Sequence, residues 1–222
     1  MFRIKVCGVT NIEDAEAAVD AGADAIGLNF FRGSKRFIST ETARQIVAAI
    51  GERTEPVGVF VNASAEAICD ACREAALNTM QLHGEDRPDH IKITLGLRDR
   101  IVSVIHAHSF GNGGLEAVYR DMFDVHGEAA DAVLVDAAVS GMYGGTGKTI
   151  DWTRLVNFEK AIGRMPLILA GGLTPDNVAE AIRIVRPHAV DAASGVEAAP
   201  GKKDHAKMRD FVAAARDAFA RI

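Results

Sequence analysis

Eight short apolar runs alternating with Ala-rich amphipathic stretches predict an α/β fold, a single-domain (β/α)8 TIM barrel with eight parallel strands inside a ring of helices. Three observations carry this prediction. The alternation fills the whole of the 222 residues, in units averaging about 28 residues, the size of a compact barrel unit. No G-x-G-x-x-G follows the first run, which counts against the rival doubly wound nucleotide-binding sheet. Strand openings recur at Asp24, Asn78, Asp131 and His188, spaced 54, 53 and 57 residues apart. That near-regular step of two βα units is what repetition around a closed ring produces.

In chain order, the predicted strands are FRIKVCG (2–8), DAIGLNF (24–30), PVGVFV (56–61), NTMQLHG (78–84), RIVSVIHA (100–107), DAVLVDA (131–137), PLILAG (166–171) and HAVDAAS (188–194). Each is a near-continuous apolar run, as expected of strands covered on both faces. Helices are expected near 11–22, 39–51, 64–76, 86–96, 113–127, 151–163, 175–186 and 201–221. In LTPDN the helix near 175 has Thr174 as its expected N-cap and Pro175 at its first position. No Pro/Gly/Ser-rich linker divides the chain, so residues 1–222 read as one domain.

Composition narrows the function classes. With 48% hydrophobic and 25% charged residues the chain is an ordinary globular protein, and a net charge of −5 with a pI near 5.8 gives nucleic acid nothing to bind. The N-terminus MFRIKVCGVT is too short and too charged for a signal peptide, and no apolar run approaches the roughly 18 residues of a membrane span. A cytoplasmic protein is expected. Cys7, Cys69 and Cys72 then read as free thiols. The C-x-x-C of Cys69 and Cys72 lies in a helix-like Ala-rich stretch with no second pair to complete a zinc site.

The stretch GMYGGTGKTIDW, 141–152, imitates a nucleotide-binding phosphate loop and fails by one position. A Walker loop needs a Gly five residues before Gly147, and Met142 stands there. Its glycines instead suit a mobile loop after the sixth strand, able to close over a ligand and exclude water.

Barrel active sites gather at the C-terminal ends of the strands. Cys7, Asn29, Gln81, His83, His106 and Asp136 end strands there; Gly171 and Gly172 follow the seventh strand, and Ser194 and Gly195 the eighth. The two small-residue loops AGGLTPDN and ASGVEAAPGKKD stand where this fold binds phosphate. Cys7 and Asp136 across the mouth suggest an acid/base pair. The loop and helix start after Cys7 would lower a thiol pKa, and partial desolvation would raise that of Asp136. His83, His106 and His108 make a metal conceivable, but matching carboxylate ligands are missing apart from Asp136.

These pieces together resemble the phosphoribosylanthranilate isomerase family. The resemblance rests on KVCGVTN (5–11), SKRFIS (34–39), VGVFVN (57–62), QLHG (81–84), LVDA (134–137), GGTGKTIDW (144–152), LAGGLTPDNV (169–178) and DAASGVE…PGKKD (191–204), in order over nearly the whole chain. It implies an Amadori rearrangement in tryptophan biosynthesis, turning N-(5-phosphoribosyl)anthranilate into the 1-deoxyribulose 5-phosphate derivative without metal or organic cofactor. Asp136 would be the general acid that opens the ribose and Cys7 the thiolate that takes the C2 proton. Arg36 would pair with the anthranilate carboxylate. Gly171, Gly172, Ser194 and Gly195 would hold the phosphate, and Gln81, His83 and Gly145 would contact substrate. The implied partner is this small molecule, with no nucleic acid or membrane, and the chain a monomer or homodimer. Lys35, His106 and Ala193 depart from the residues usual in the family. The competing expectations are a sugar-phosphate epimerase with a metal on His83 and His106, and a phosphate-binding barrel without catalysis.

Overall fold

A computed structural model describes residues 1–83, 103–110, 130–137 and 151–222. Eight parallel strands close a barrel in sequence order: β1 (Ile4–Cys7), β2 (Ala25–Asn29), β3 (Glu55–Val61), β4 (Thr79–His83), β5 (Ser103–Phe110), β6 (Ala132–Ala137), β7 (Leu167–Leu169) and β8 (Ala189–Ala192). Ring closure is the pairing of β1 with β8, Lys5 beside Asp191. The expected helices near 86–96 and 113–127, and the loop 141–150, lie outside the described residues.

The helices form where the chain supplies caps. Asn11 accepts from the amide of Asp14 at the start of Ile12–Ala21, and Gly22 closes that helix in the left-handed conformation (φ 84°). Ser39 and Ser64 cap Thr40–Ile50 and Ala65–Glu74 in the same way. Cys72 is buried in the second of these, which settles the C-x-x-C as helix interior. Among the described residues no helix is long and apolar enough to cross a membrane.

Two expected helix starts move. Residues 201–204 are not helical: Glu197–Ala199 and Lys202–Lys203 pair as a small antiparallel hairpin, β9 and β10, and the last helix, His205–Phe219, begins after Asp204, whose carboxylate takes the amides of Ala206 and Lys207. Thr174 does not act as the N-cap of the seventh-unit helix, which spans Val178–Val185; instead Asn177 Oδ1 accepts from the Thr174 amide. The sixth unit is short, a 3-10 turn Trp152–Leu155 capped by Asp151 and one helical turn Glu159–Ile162.

Strand side chains alternate between two shells. Outward, Ile4, Val6, Ile26, Leu28, Met80, Leu82, Val133 and Val135 pack under the helices, where Met208, Phe211 and Val212 of the last helix are fully buried; each such side chain contributes about 1.5–3 kcal/mol. Inward, Phe2, Ala25, Val57, Ile105, Ala132, Leu134, Ile168 and Ala189 plug the barrel floor. Above that floor the interior turns polar, and there the site begins.

Candidate active site

Alternation decides which strand-end residues reach the mouth. Register pairs Cys7 with Gly27, Val59 with Gln81, Val61 with His83 and Leu134 with Ile168, so these residues share the inward phase. One pocket is lined by Cys7, Asn29, Arg36, Gln81, His83, Asp136, Gly171, Gly172, Ser194 and Gly195, with Asp191 at its base. Every predicted catalytic and substrate-binding residue among the described ones is therefore gathered, whereas the possible metal ligand His106 is not part of the lining and the side chain of His108 lies outside the described residues. Gly145 lies outside the described residues.

His106 is a correction. Strand β5 continues to Phe110, so His106 is mid-strand, paired with the outward-facing Leu82 and buried. It shares no site with His83, which faces the pocket, so the pair cannot jointly hold a metal. Among the described residues no group of three His, Cys, Asp or Glu side chains is arranged to do so either. Position 106 being off the mouth, its departure from the family's usual residue leaves the pocket unaltered.

Cys7 is 9% exposed and has its Sγ against Gly27, where a Cβ would lie only 2.5 Å from it; the bare backbone of β2 makes the room the thiol occupies. The expected depression of its pKa is overturned. Burial pushes the Cys7 thiol up, against the opposing pull of the Lys5 and Lys203 ammoniums. The loop N–H groups that were to stabilise a thiolate are spent: those of Gly8 and Val9 both donate to the Gly27 carbonyl, at 2.9 and 3.0 Å. Asp136, two strand positions beyond Leu134, is half-buried at the opposite side of the mouth.

Beneath Cys7 lies a polar layer that sequence reading missed. Lys5 is fully buried; its Nζ donates to Asp191 Oδ2 at 2.8 Å and to Gln81 Oε1 at 3.0 Å. With its oxygen so used, the Gln81 amide presents Nε2 to His83 Nε2 at 2.5 Å. That contact makes His83 Nε2 the acceptor and assigns its proton to Nδ1. Burial disfavours the Lys5 charge, yet the Asp191 carboxylate and the Cys7 side chain together more than offset this, and its pKa lies above the ordinary lysine value. The available signal was a lone Lys and a lone Asp inside otherwise apolar strands, at Lys5 and Asp191.

A second ionic group stands at the rim. Arg36 offers Nε and Nη2 to the two oxygens of Glu197, both at 2.7 Å, a bidentate fork. Glu197 Oε1 also takes Lys203 Nζ at 3.0 Å, and the same ammonium donates to the carbonyls of Cys7 (2.6 Å) and Ala193 (3.1 Å). The β9–β10 hairpin places Glu197 opposite Lys203 and so ties the arginine, the end of β1 and the β8 loop together. Burial would raise the Glu197 carboxyl, but the Arg36 hydrogen bond and the Lys203 charge hold it below the usual range. Lys203 itself is pushed down by burial despite Glu197. Arg36, Lys203 and Glu197 carry formal charges that sum to one positive. Lys35 is exposed beside Arg36.

The two glycine loops meet at the far wall. Gly171 and Gly172 have φ of 86° and 65°, conformations open to glycine. Gly195 is required for a different reason: a Cβ there would stand 1.8 Å from the Leu173 carbonyl oxygen. The β7 and β8 loops are thus in backbone contact, and Ser194 opens a 3-10 turn, Ser194–Val196, at the pocket edge.

Comparison with known proteins agrees with this geometry. Residues 4–214 match the family model described as N-(5'-phosphoribosyl)anthranilate (PRA) isomerase. The N-(5'-phosphoribosyl)anthranilate isomerase of Acidithiobacillus ferrooxidans is 43% identical over 216 residues, covering 97% of this chain and 98% of that one. The crystal structure of phosphoribosyl anthranilate isomerase from Thermotoga maritima is similar at a TM-score of 0.83 and 42% identity, over 98% of this chain and 100% of the other. A phosphoribosyl anthranilate isomerase in complex with reduced 1-(o-carboxyphenylamino)-1-deoxyribulose 5-phosphate is similar at a TM-score of 0.80 and 39% identity, again over 98% and 100%.

Proposed function

This chain belongs to the N-(5'-phosphoribosyl)anthranilate isomerase family, and from that membership we propose how its own residues carry the reaction. The reaction is the aldose–ketose isomerisation of tryptophan biosynthesis in which phosphoribosylanthranilate becomes 1-(2-carboxyphenylamino)-1-deoxyribulose 5-phosphate. Asp136 gives its proton to the ribose ring oxygen as the C1–O bond breaks and the anilino nitrogen lone pair forms the C1=N bond. Cys7, as thiolate, takes the proton from C2, and the C–H electrons form C1=C2 while the iminium nitrogen becomes neutral. The resulting enolamine ketonises, its C2 hydroxyl losing a proton as C1 gains one.

The observation that carries this reading is the shared pocket: Cys7 and Asp136 line the same cavity as Arg36 and the two glycine loops. An acid and a base at one mouth, with an anion seat at either side, match a substrate carrying a carboxylate at one end and a phosphate at the other. Arg36 takes the carboxylate; the backbone of Gly171, Gly172, Ser194 and Gly195 takes the phosphate. Gln81 and His83 line the wall between. Burial that pushes the Cys7 thiol up also makes its thiolate the stronger base. The proposed setting is the cytoplasm, with no cofactor.

The test is turnover of the substrate itself. Purified protein added to phosphoribosylanthranilate abolishes the anthranilate-type fluorescence at a rate proportional to enzyme, before and after dialysis against EDTA. No turnover would remove the function, and activity lost to EDTA and restored by a divalent ion would remove the proposed proton transfers.

A further inference from the structure

The Lys5–Asp191 pair below the mouth has no part in the chemistry above, yet it contains a fully buried cation two residues from the proposed base. Lys5 and Cys7 lie on the same inward face of β1. The ammonium donates to Asp191 Oδ2 and to Gln81 Oε1, which hold its buried charge on the face of β1 that carries Cys7 two residues on, and that charge favours the thiolate. Both partners fix the head group. Gln81 is itself fixed by His83, and Asp191 Oδ1 has no hydrogen-bond partner among the described residues, so the carboxylate depends on Lys5 for its neutralisation.

We propose that Lys5 is a positioning residue for the isomerisation: clamped between Gln81 and Asp191, it holds a buried positive charge on the same face of β1 as Cys7 and sets how readily that thiol ionises. The inference rests on Cys7 being the base. The other charges facing the thiol are Asp191 from β8, which opposes its ionisation, Lys203 from β10, which favours it, and Arg36 from the loop after β2. His83 and Asp136 stand farther round the same pocket. Lys203 is occupied by Glu197 and by two backbone carbonyls. That leaves Lys5 as the buried cation on the strand face of Cys7 itself, held by side chains alone. Buried charge is retained here because a buried thiol has to be made ionisable, which an apolar barrel plug in place of Lys5 would not do.

The experiment uses full-length enzyme carrying C69A and C72A, so that iodoacetamide reports on Cys7 alone, and follows alkylation rate against pH. Removing Lys5 by itself would strand the Asp191 carboxylate, so the variant is K5M/D191N; D191N alone is its counterpart. The inference predicts opposite shifts of the alkylation midpoint: up by about one unit or more in K5M/D191N, equivalent to at least about tenfold slower labelling at neutral pH, and down in D191N. A purely structural role would give two weakened proteins with unmoved midpoints. Midpoints within about 0.3 unit of the parent in both folded variants, a shift well below the full unit that an adjacent charge produces, overturn the inference. Should K5M/D191N not melt cooperatively, K5Q/D191N replaces it: a midpoint no higher than that of D191N overturns the inference. The acid limb of kcat/KM for phosphoribosylanthranilate is recorded in parallel. Midpoints that move as predicted support the Lys5 inference whether or not that limb follows; a limb that stays in place counts only against Cys7 as the base.

Discussion

Adding one methyl group where the two glycine loops touch should separate the phosphate seat from the rest of the site. In Gly195→Ala the new Cβ would lie 1.8 Å from the Leu173 carbonyl oxygen, 2.8 Å from its carbon and 3.1 Å from Thr174 Cγ2. Carbon and carbonyl oxygen rest no closer than about 3.3 Å, so the loops must part by roughly 1.5 Å. Neither neighbour is the flexible end of a long side chain; the nearest atoms are backbone, and they carry Gly171 and Gly172 with them. Overpacking of this kind costs about 1–3 kcal/mol, which a barrel this size survives. The catalytic cost is larger, because misplacing a bound substrate by about 1 Å is enough for a roughly hundredfold loss. The expected result is a kcat/KM for phosphoribosylanthranilate about 100-fold below wild type, with inorganic phosphate a markedly weaker competitive inhibitor and a cooperative urea transition retained. A variant within threefold of wild type on both counts would show that the loop junction does not hold the phosphate.

Three further outcomes follow from the same geometry. Arg36→Ala should raise KM by about 10-fold or more while leaving kcat within a few-fold, since a charge-assisted bidentate contact contributes about 1.5–3 kcal/mol and is made in ground and transition state alike; a fall confined to kcat would contradict the carboxylate role. Glu197→Gln should cost about 3 kcal/mol by urea denaturation near neutral pH, because it leaves two buried cations facing one another. As Arg36 and Lys203 hold the folded Glu197 carboxyl low against the opposing effect of burial, its stabilisation is complete above the unfolded value of about 4.3 and is lost as pH falls through the folded one. The wild-type advantage over E197Q should therefore shrink as pH falls below about 4.3, and an advantage that grows there would refute the sign. Gly27→Ala should press directly on Cys7 Sγ and slow kcat with little change in KM.

Much of this was legible in the chain because it is local. Period and spacing identify a barrel, and a barrel directs attention to strand ends, which is how Cys7, Asp136 and the two glycine loops can be found without coordinates. Failures have equally specific causes. His106 reads as a rim residue if strand β5 ends at 107; the strand runs to Phe110, and period-two alternation turns His106 outward. Lys5 and Asp191 were passed over because a core strand is expected to be apolar, and their pairing spans 186 residues. The grip of Glu197 on Arg36 spans 161 and depends on a hairpin of two very short strands, which no periodic pattern marks. The direction of the thiol shift is not legible in the chain, since sequence does not reveal that the Gly8 and Val9 amides already donate to Gly27.

The central claim is that Cys7 and Asp136 divide the proton transfers between them, and single-turnover and steady-state rates of Cys7→Ser and Asp136→Asn on phosphoribosylanthranilate test it most directly. Both variants should stay folded, bind substrate with KM within a few-fold of wild type, and lose kcat by at least about 10²–10⁴-fold, the contribution of a positioned acid or base. If either retains kcat within a few-fold of wild type, the acid/base assignment is wrong.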